Sequence, residues 1–537
     1  MKSIRTALAL LILLSAAVLQ PKLPVFGKEL PFTDIDQSFA KESIIRLYEQ
    51  RIMNGTSESL FSPSKPITRP EFLVTINRLL GLEPVASPVP AYIDVGSRAW
   101  YYAQVQASTE LGLTEGKGGG SFAPSQPVTR QEAAVWIIRI LAENAEGTNN
   151  AGIRTGYRDD AAIAAWARPS VAAMKSLGLM EGSDGRFYPA QSLTRAEIAV
   201  ILDRLLQSEE LASKLAAEAE PSIQIGWQYD QTDAEYKASI LKSNINVLSP
   251  RWFFLNQDGG ITDYSVPSLS AWTRQNGKQV WAMFGNRLNM ENTHALLSSP
   301  GKTSSAITTV VTSAAASGIQ GINLDFENIG GADREAFTSF VAELSRQLHA
   351  KGMVLSVDVS PDLGTDWTEA FDYAALGKSA DYIVLMGYDE HWSGGAAGSV
   401  SSLAWVENGL KTLLSKVSSS KIILGMPLYT RDWTVNSKGA TAASEDLTLA
   451  AQIQQVRQLG LKPKWNGTLG QYTAEYSSAG SIHRIWLEES RSLSRKYGMA
   501  MEHGVAGFAY WSIGGEVPEI WPALRNAAKY AAIRAQQ

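Results

Sequence analysis

Apolar and polar residues alternate strictly along residues 321–328, which read Gly-Ile-Asn-Leu-Asp-Phe-Glu-Asn. This period of two predicts a β-strand, because successive side chains of a strand point to opposite faces. One face would be apolar and the other would carry Asn323, Asp325 and Glu327. Carboxyl groups two residues apart on a strand lie about 6–7 Å apart, which raises at least one pKa. The pattern is typical of a barrel strand whose interior face carries a catalytic acid that stays protonated. The alternative is an edge strand with solvated acids, which shows the same alternation.

From residue 222 onward, short apolar stretches alternate with longer segments of helical periodicity. Such alternation predicts a parallel α/β arrangement, and eight stretches over about 300 residues fit a (β/α)8 TIM barrel. The predicted strands span residues 223–227, 246–249, 279–284, 321–327, 354–359, 382–388, 421–426 and 506–511. Residues 334–350 and 487–503 are predicted helices. The longest gap, residues 434–483, follows the seventh strand and predicts a small α+β insertion.

Polar and aromatic residues end several of these predicted strands. Active sites of (β/α)8 barrels lie at the carboxyl ends of the strands, so we expect these side chains to converge. They are Asp325, Glu327, Asp358, Tyr388, Asp389, Tyr429, Arg431 and Trp511.

The first 207 residues contain a three-fold internal repeat, which predicts a repeated helical unit. Its core motif stands at residues 67–71, 128–132 and 193–197, as Ile-Thr-Arg-Pro-Glu, Val-Thr-Arg-Gln-Glu and Leu-Thr-Arg-Ala-Glu. Each motif follows an aromatic-x-Pro turn and precedes an amphipathic segment, so its threonine is placed as a helix N-cap. The three threonines are Thr68, Thr129 and Thr194, and each unit opens near an aspartate, Asp34, Asp94 or Asp159.

Residues 1–27 have the pattern of a secretory signal peptide. Lys2 and Arg5 precede an apolar run over residues 7–19 that is too short to span a bilayer comfortably. Cleavage after Gly27 is predicted; residues 16–17 offer a second site, and an uncleaved anchor is the alternative. After cleavage we expect no membrane association.

The composition of the chain excludes several kinds of catalytic and binding site. The chain has no cysteine, which excludes disulfides, thiol catalysis and cysteine–zinc sites. Its five histidines show no metal-binding spacing, so we predict neither a catalytic metal nor a cofactor. A net charge of −5 without a basic cluster argues against nucleic acid as a partner.

Four motifs resemble, in order, those of the family 18 glycoside hydrolases. Residues 320–327 resemble DGxDxDxE, 385–389 resemble MxYD, 424–433 resemble LGxPxYxRxW, and 504–511 resemble the eighth strand with its terminal tryptophan. The resemblance covers roughly residues 222–530. Residues 323–328 and 249–253 look most like the bacterial branch that contains spore-cortex and cell-wall N-acetylglucosaminidases.

This resemblance implies substrate-assisted catalysis, in which the substrate's 2-acetamido group is the nucleophile. Glu327 would be the acid, Asp325 would hold the acetamido N–H, and Tyr388 would bond the acetamido oxygen. The substrate-binding residues it implies are Asn323, Asp389, Met386, Tyr429, Arg431 and Trp511. Gln320 and Asn323 stand where the family usually has aspartate, so Asp325 should ionise more readily.

The three N-terminal units resemble S-layer homology domains, which implies a trefoil-like helical bundle that binds secondary cell-wall polysaccharide. The binding residues it implies are Arg69, Arg130, Arg195, Trp100 and Trp166, with Phe39 at the tryptophan position of the first unit. The alternative is that each motif only caps and packs its helix, with its arginine paired to its glutamate. We predict a signal peptide at 1–27, S-layer homology domains at 28–85, 86–147 and 148–207, a helical linker at 208–221 and the barrel at 222–537.

Together these features predict a secreted glycosidase anchored in the wall of a Gram-positive-type bacterium. Its partners would be a polysaccharide substrate containing N-acetylglucosamine and, through the repeats, the wall polysaccharide. It would cleave β-1,4 bonds with retention of configuration, and peptidoglycan is the favoured substrate. The alternatives are a chitinase and a non-catalytic lectin on the same barrel.

Overall fold

The computed structural model describes residues 30–142, 153–220, 222–436 and 438–536. The predicted signal peptide, residues 1–27, lies outside the described residues. Among the described helices, none combines the length and the apolar character that a membrane span requires.

The described residues of the N-terminal half contain seven α-helices. They are α1 (Lys41–Glu49), α2 (Arg69–Leu80), α3 (Tyr102–Glu110), α4 (Arg130–Ile140), α5 (Arg168–Ser176), α6 (Arg195–Gln207) and α7 (Glu209–Leu215). The three repeated motifs begin α2, α4 and α6, and each threonine forms a capping box with the glutamate three residues later, which confirms the predicted N-caps. α2 packs on α3, α4 on α5 and α6 on α1, so the second helix of each repeat contacts the first helix of another.

A ring of backbone hydrogen bonds joins the three repeats at their centre. Ile67 N donates to Leu193 O (3.0 Å), Val128 N to Ile67 O (3.0 Å) and Leu193 N to Val128 O (3.1 Å). The backbone of the equivalent residue in each repeat therefore hydrogen-bonds to that of another repeat. The ring closes only when all three repeats are present.

The C-terminal half is a closed parallel barrel, as the sequence predicts. Its strands are β1 (Ile223–Gln228), β2 (Val247–Ser249), β3 (Arg251–Leu255), β5 (Gln279–Gly285), β6 (Gly321–Asp325), β7 (Val354–Val359), β8 (Tyr382–Met386), β9 (Ile422–Pro427) and β15 (Gly507–Ile513). β2 and β3 form one barrel strand interrupted at Pro250, and β4 (Ile261–Asp263) extends it as an antiparallel hairpin. β2 pairs with both β1 and β5, which closes the eight-stranded ring.

Helices surround the barrel and a second sheet projects from it. The helices are α8 (Asp233–Ile240), α9 (Pro267–Gln275), α10 (Met290–Leu297), α11 (Pro300–Ala316), α12 (Arg334–His349), α13 (Tyr373–Ser379), α14 (Leu403–Leu414), α16 (Ser490–Glu502) and α17 (Ile520–Arg534). The insertion consists of β10 (Tyr429–Val435), β11 (Thr441–Thr448), α15 (Leu449–Gln458), β12 (Lys464–Asn466), β13 (Gln471–Ser478) and β14 (Ser481–Leu487). Its sheet has the order β11-β10-β14-β13-β12, so the predicted α+β insertion is present and begins five residues earlier than expected.

The alternation along β6 has the predicted consequence for packing. Ile322 and Leu324 lie in the core between the barrel and its helices, whereas Asn323 points into the barrel. The strand ends at Asp325, two residues earlier than predicted, so Glu327 belongs to the loop that follows. This loop places its carboxyl at the open, carboxyl end of the barrel.

The repeats and the barrel share a buried interface. Ile533 of α17 is part of the hydrophobic core of the repeats, and Arg525 forms a double ion-paired contact with Glu83 (2.6 and 2.8 Å). Ser490 Oγ donates to Glu110 (2.6 Å), and burial raises the pKa of Glu110 well above its usual range. The predicted linker contains α7, whose Leu211 and Leu215 are buried in the repeat core; this segment is packed rather than extended.

Candidate active site

Two acidic side chains lie at the carboxyl end of β6 and in the loop that follows it. Asp325 is the last residue of the strand and Glu327 follows two residues later; both are partly buried. Asn286, at the end of β5, holds the backbone of Glu327 from both sides. Its Oδ1 accepts from Glu327 N (3.1 Å) and its Nδ2 donates to Glu327 O (2.7 Å). Sequence reasoning missed Asn286, although its place directly after an apolar strand was a usable signal.

Burial and mutual repulsion separate the pKa values of the two acids. Burial raises the pKa of Asp325 to about 6, and the nearby charge of Arg251 opposes that rise. Burial, and then the charges of Asp325 and Asp389, raise the pKa of Glu327 to about 8. Two neighbouring carboxyl groups with separated pKa values can serve as one acid and one anion near neutral pH.

Asn323 lies beneath this pair with no exposed surface. Its Nδ2 donates to Asp358 Oδ1 (2.6 Å) and its Oδ1 accepts from Trp227 Nε1 (2.7 Å). The structure therefore places Asn323 in a buried layer that orients Asp358, and not on the cleft surface where a substrate-binding residue was expected. The neutral side chain of Asn323 was expected to let Asp325 ionise more readily. Burial nevertheless raises the pKa of Asp325, so its effect is larger than that of the missing charge at residue 323.

Asp358, on β7, is a third buried carboxyl in this group. Burial, followed by the charge of Asp325, raises its pKa well above the usual range, while the hydrogen bond from Asn323 opposes the rise. Burial therefore favours the neutral form of this carboxyl, which adds no negative charge beneath Asp325.

A polar network joins Asp389, which follows β8, to the strands β10 and β11 of the insertion. Tyr429 donates to Asp389 Oδ1 (2.6 Å), and Arg431 bonds the same oxygen (3.1 Å). Arg431 also pairs closely with Asp446 of β11. Asp446 was not predicted, because it lies in an insertion whose pairing with β10 no local pattern indicates. These contacts fix Asp389 beside Glu327, whose pKa it raises.

Aromatic side chains complete the site. The ring of Trp511 lies 6.0 Å from Trp227 and 5.3 Å from the half-exposed Tyr229. Burial raises the pKa of Tyr388 well above its usual range, so its phenol remains a hydrogen-bond donor. Met386, an expected substrate-binding residue, is buried on β8. An open cavity of about 490 Å³ is lined by Tyr229, Asp389, Tyr429, Arg431, Trp511 and their neighbours.

The three repeated arginines clamp neighbouring repeats. Arg69 Nε donates to Phe122 O (2.7 Å), Arg130 Nε to Phe187 O (2.8 Å) and Arg195 Nε to Phe61 O (2.8 Å). Only 2% of the surface of Arg69 and 5% of that of Arg195 is exposed. The side chains expected to bind polysaccharide thus have their Nε–H groups committed to the fold.

Arg69 pairs with the glutamate of another repeat, Glu132 (2.6 Å), and not with its own Glu71. Its own glutamate instead closes the capping box with Thr68. The alternative interpretation, an arginine paired to the glutamate of the same motif, therefore does not describe Arg69.

Aromatic residues are exposed at the expected position of each repeat, and one of them lines a groove. Trp100 is 66% exposed and Trp166 is 54% exposed, and Phe39 at the equivalent position is also exposed. A cavity of about 330 Å³ brings Trp100 together with Arg195. Other residues that line it include Lys65, Glu71 and Arg78. In the described ranges, no group of three or more histidine, aspartate or glutamate residues could hold a metal ion.

Known proteins share both halves of this architecture. The family model for glycosyl hydrolases family 18 matches residues 230–516, just over half of the chain. The model for the S-layer homology domain matches residues 31–73, 92–134 and 156–199.

Among curated relatives, the uncharacterized glycosylase YvbX of Bacillus subtilis is 32% identical over 214 residues, which are 39% of this chain and 61% of YvbX. The cortical fragment-lytic enzyme of Bacillus anthracis is 29% identical over 223 residues, 41% of this chain and 52% of the enzyme. The chain thus spans little more than half the length of these relatives.

Two solved structures share the fold. The spore cortex-lytic enzyme SleL of Bacillus cereus superposes with a TM-score of 0.54 at 23% identity, over 57% of this chain and 75% of SleL. A chitinase from Chromobacterium violaceum superposes with a TM-score of 0.53 at 24% identity, over 57% of this chain and 99% of the chitinase.

Proposed function

Because the chain belongs to glycosyl hydrolases family 18 and carries three S-layer homology domains, we propose that it is a cell-surface glycosidase that cleaves peptidoglycan. The bond that it hydrolyses is the β-1,4 linkage that follows an N-acetylglucosamine residue. The observation that carries the proposal is the pair Glu327 and Asp325, with pKa values of about 8 and about 6 at the open end of the barrel.

In the proposed mechanism, neutral Glu327 donates its proton to the glycosidic oxygen as the bond to the anomeric carbon breaks. The carbonyl oxygen of the substrate's 2-acetamido group attacks that carbon and forms a cyclic oxazolinium ion. Anionic Asp325 accepts the acetamido N–H and stabilises the positive charge. Water then attacks with Glu327 as base, so the configuration is retained and Glu327 regains its proton.

The other residues hold the sugar in place. Trp511 offers a flat apolar face for a pyranose ring, and the un-ionised phenol of Tyr388 can donate to the acetamido oxygen. Arg431 and Tyr429 hold Asp389 in position, which keeps the proton on Glu327.

The repeats support a location at the cell surface and a wall polysaccharide as their ligand. Sugars stack on exposed aromatic rings, and Trp100, Trp166 and Phe39 present such rings. In the cavity beside Trp100, Lys65 and Arg78 provide positive charge for an anionic polymer. The repeated arginines contribute mainly by shaping these grooves.

The proposed roles of Glu327 as acid and Asp325 as anion predict how kcat/KM depends on pH. Activity requires protonated Glu327, so kcat/KM should fall as the pH rises through about 8. It also requires ionised Asp325, so kcat/KM should fall as the pH drops through about 6. A bell-shaped profile with its maximum between these values is expected for an N-acetylglucosamine oligosaccharide. An optimum below pH 5, or undiminished activity at pH 10, would contradict these roles.

The substrate is tested with the full chain on purified peptidoglycan, colloidal chitin and fully deacetylated chitin. We expect soluble fragments from peptidoglycan that end in a reducing N-acetylglucosamine, identified by mass spectrometry, and no cleavage of the deacetylated polymer. A thiazoline analogue of the oxazolinium ion should inhibit strongly. Rapid cleavage of deacetylated chitin would refute the mechanism, and cleavage of chitin alone would show that the enzyme is a chitinase.

A further inference from the structure

Two arginines near the acidic pair form no direct ion pair with a carboxylate in the described part of the chain. Arg251 is the first residue of β3 and is partly buried, whereas Arg287 directly follows Asn286 and is exposed. Among the described residues, neither guanidinium group has a hydrogen bond or an ion pair. By contrast, the exposed Arg346 on the outer helix α12 pairs with Glu343 (2.6 Å).

Aromatic rings hold both guanidinium groups in place. The Cζ atom of Arg251 lies 5.0 Å from the ring centre of Tyr229 and 5.1 Å from that of Phe254. The Cζ atom of Arg287 lies 4.1 Å from the same Phe254 ring. Two like charges therefore lie against one aromatic ring, and an anion bound near both would reduce their mutual repulsion.

The pair lies within reach of a substrate in the site. Tyr229 contacts both Arg251 (5.0 Å) and Trp511 (5.3 Å), so a single ring separates the guanidinium from the face expected to hold a sugar. Arg251 is also close enough to Asp325 to lower its pKa. Arg287 directly follows the asparagine that fixes the backbone of Glu327.

Arg251 also has an unsatisfied donor. Its Nε atom is buried and has no hydrogen-bond acceptor in the described part of the chain. A buried donor without a partner costs free energy, so the hydrogen-bonding capacity of Arg251 is not used up within the described fold. The planar fork of a guanidinium matches a carboxylate in charge and in geometry.

We propose that Arg251 and Arg287 form a subsite for a carboxylate carried by the sugar next to the one on Trp511. This inference rests on the proposed function and specifies its substrate. A neutral polymer of N-acetylglucosamine has no group for such a subsite. In peptidoglycan every second sugar carries a lactyl ether, which ends in a carboxylate or in a peptide with carboxylates of its own. The subsite therefore distinguishes an acid-bearing glycan from chitin.

Four defined tetrasaccharides test the subsite with the full-length protein. One is neutral N-acetylglucosamine tetramer, and the second alternates N-acetylglucosamine with sugars that carry a free lactyl carboxylate. The third is identical except that each lactyl carboxyl is capped as a neutral methyl amide, and the fourth carries an acidic peptide on the lactyl group. The variants are Arg251→Gln, Arg287→Gln and the double variant, with Arg346→Gln as a matched arginine control on the outer helix α12.

The readout is the ratio of kcat/KM for an acid-bearing tetrasaccharide to that for its amide-capped form. The ratio cancels any general effect of Arg251 on Asp325. We expect the wild type and Arg346→Gln to prefer an acid-bearing form by about tenfold or more, and the double variant to show a ratio near one. A preference for the second tetrasaccharide assigns the lactyl carboxylate to the subsite, and a preference for the fourth alone assigns a peptide carboxylate.

Equal rates on charged and amide-capped substrates in the wild type, or an unchanged preference in the double variant, would overturn the subsite. If the wild type hydrolyses none of the four, the proposed function fails, and calorimetric binding of the same compounds decides the subsite. Charge-selective binding that the double variant loses would support it. Binding that ignores the charge, or no binding at all, would overturn it.

Discussion

Replacement of Glu327 by glutamine should lower kcat by about 10²–10⁴-fold on an N-acetylglucosamine oligosaccharide with a natural leaving group. The amide has nearly the shape of the acid and cannot donate a proton to the glycosidic oxygen. The pKa of about 8 is what makes Glu327 the proton donor at neutral pH, and glutamine has no such proton at any pH. The loss should therefore appear across the whole pH profile.

The fold and the binding of substrate should survive this change. Asn286 holds the backbone of residue 327 and not its side chain, so the loop keeps its anchor in the variant. Glu335→Gln, on the exposed face of α12, is the matched control and should retain wild-type turnover. Wild-type turnover in Glu327→Gln itself, measured with a leaving group that needs protonation, would remove Glu327 from the mechanism.

Simultaneous replacement of Arg69, Arg130 and Arg195 by alanine should strongly destabilise the repeat bundle and lower its melting temperature, rather than only weaken wall binding. Each change deprives a carbonyl of the neighbouring repeat of its donor, and an unsatisfied buried group costs about 1–3 kcal/mol. Three such losses amount to about 3–9 kcal/mol, against a typical domain stability of about 5–15 kcal/mol. Thermal unfolding of the full chain measures the effect.

Trp100→Ala combined with Trp166→Ala separates binding from stability. Both side chains are largely exposed, so their removal should change stability by less than about 0.5 kcal/mol. The same variant should sediment less with purified cell walls if the exposed rings bind the polymer.

For the triple arginine variant, a melting temperature equal to that of the wild type would contradict the expected destabilisation. It would show that the packing of the repeats against one another does not depend on the three arginine side chains.

Local patterns determined much of this protein. The period of two along β6 predicted which side chains face the barrel interior, because pleating sends alternate residues to opposite faces whatever the surroundings. Thr68, Thr129 and Thr194 predicted where three helices begin, because an N-cap interacts only with groups in the first turn of its own helix. The alternation of apolar strands and helices predicted a closed parallel barrel, which the pairing of β2 with β5 confirms.

Partners that are distant in the chain were decided only by the tertiary structure. The motif predicted that Arg69 binds a ligand, with its own glutamate as the alternative partner; packing instead gives it Phe122 and Glu132 of another repeat. Asn323 has the place of a cleft residue in its motif, but Trp227 and Asp358 enclose it from other strands. Elements far apart in sequence also decide the pKa of Glu327, its support by Asn286 and the pairing of Asp446 with Arg431. They also leave the Nε of Arg251 without an acceptor among the described residues. A hydrogen bond or a desolvation energy depends on which atoms the fold brings within a few ångströms, and a linear pattern carries that information only for near neighbours.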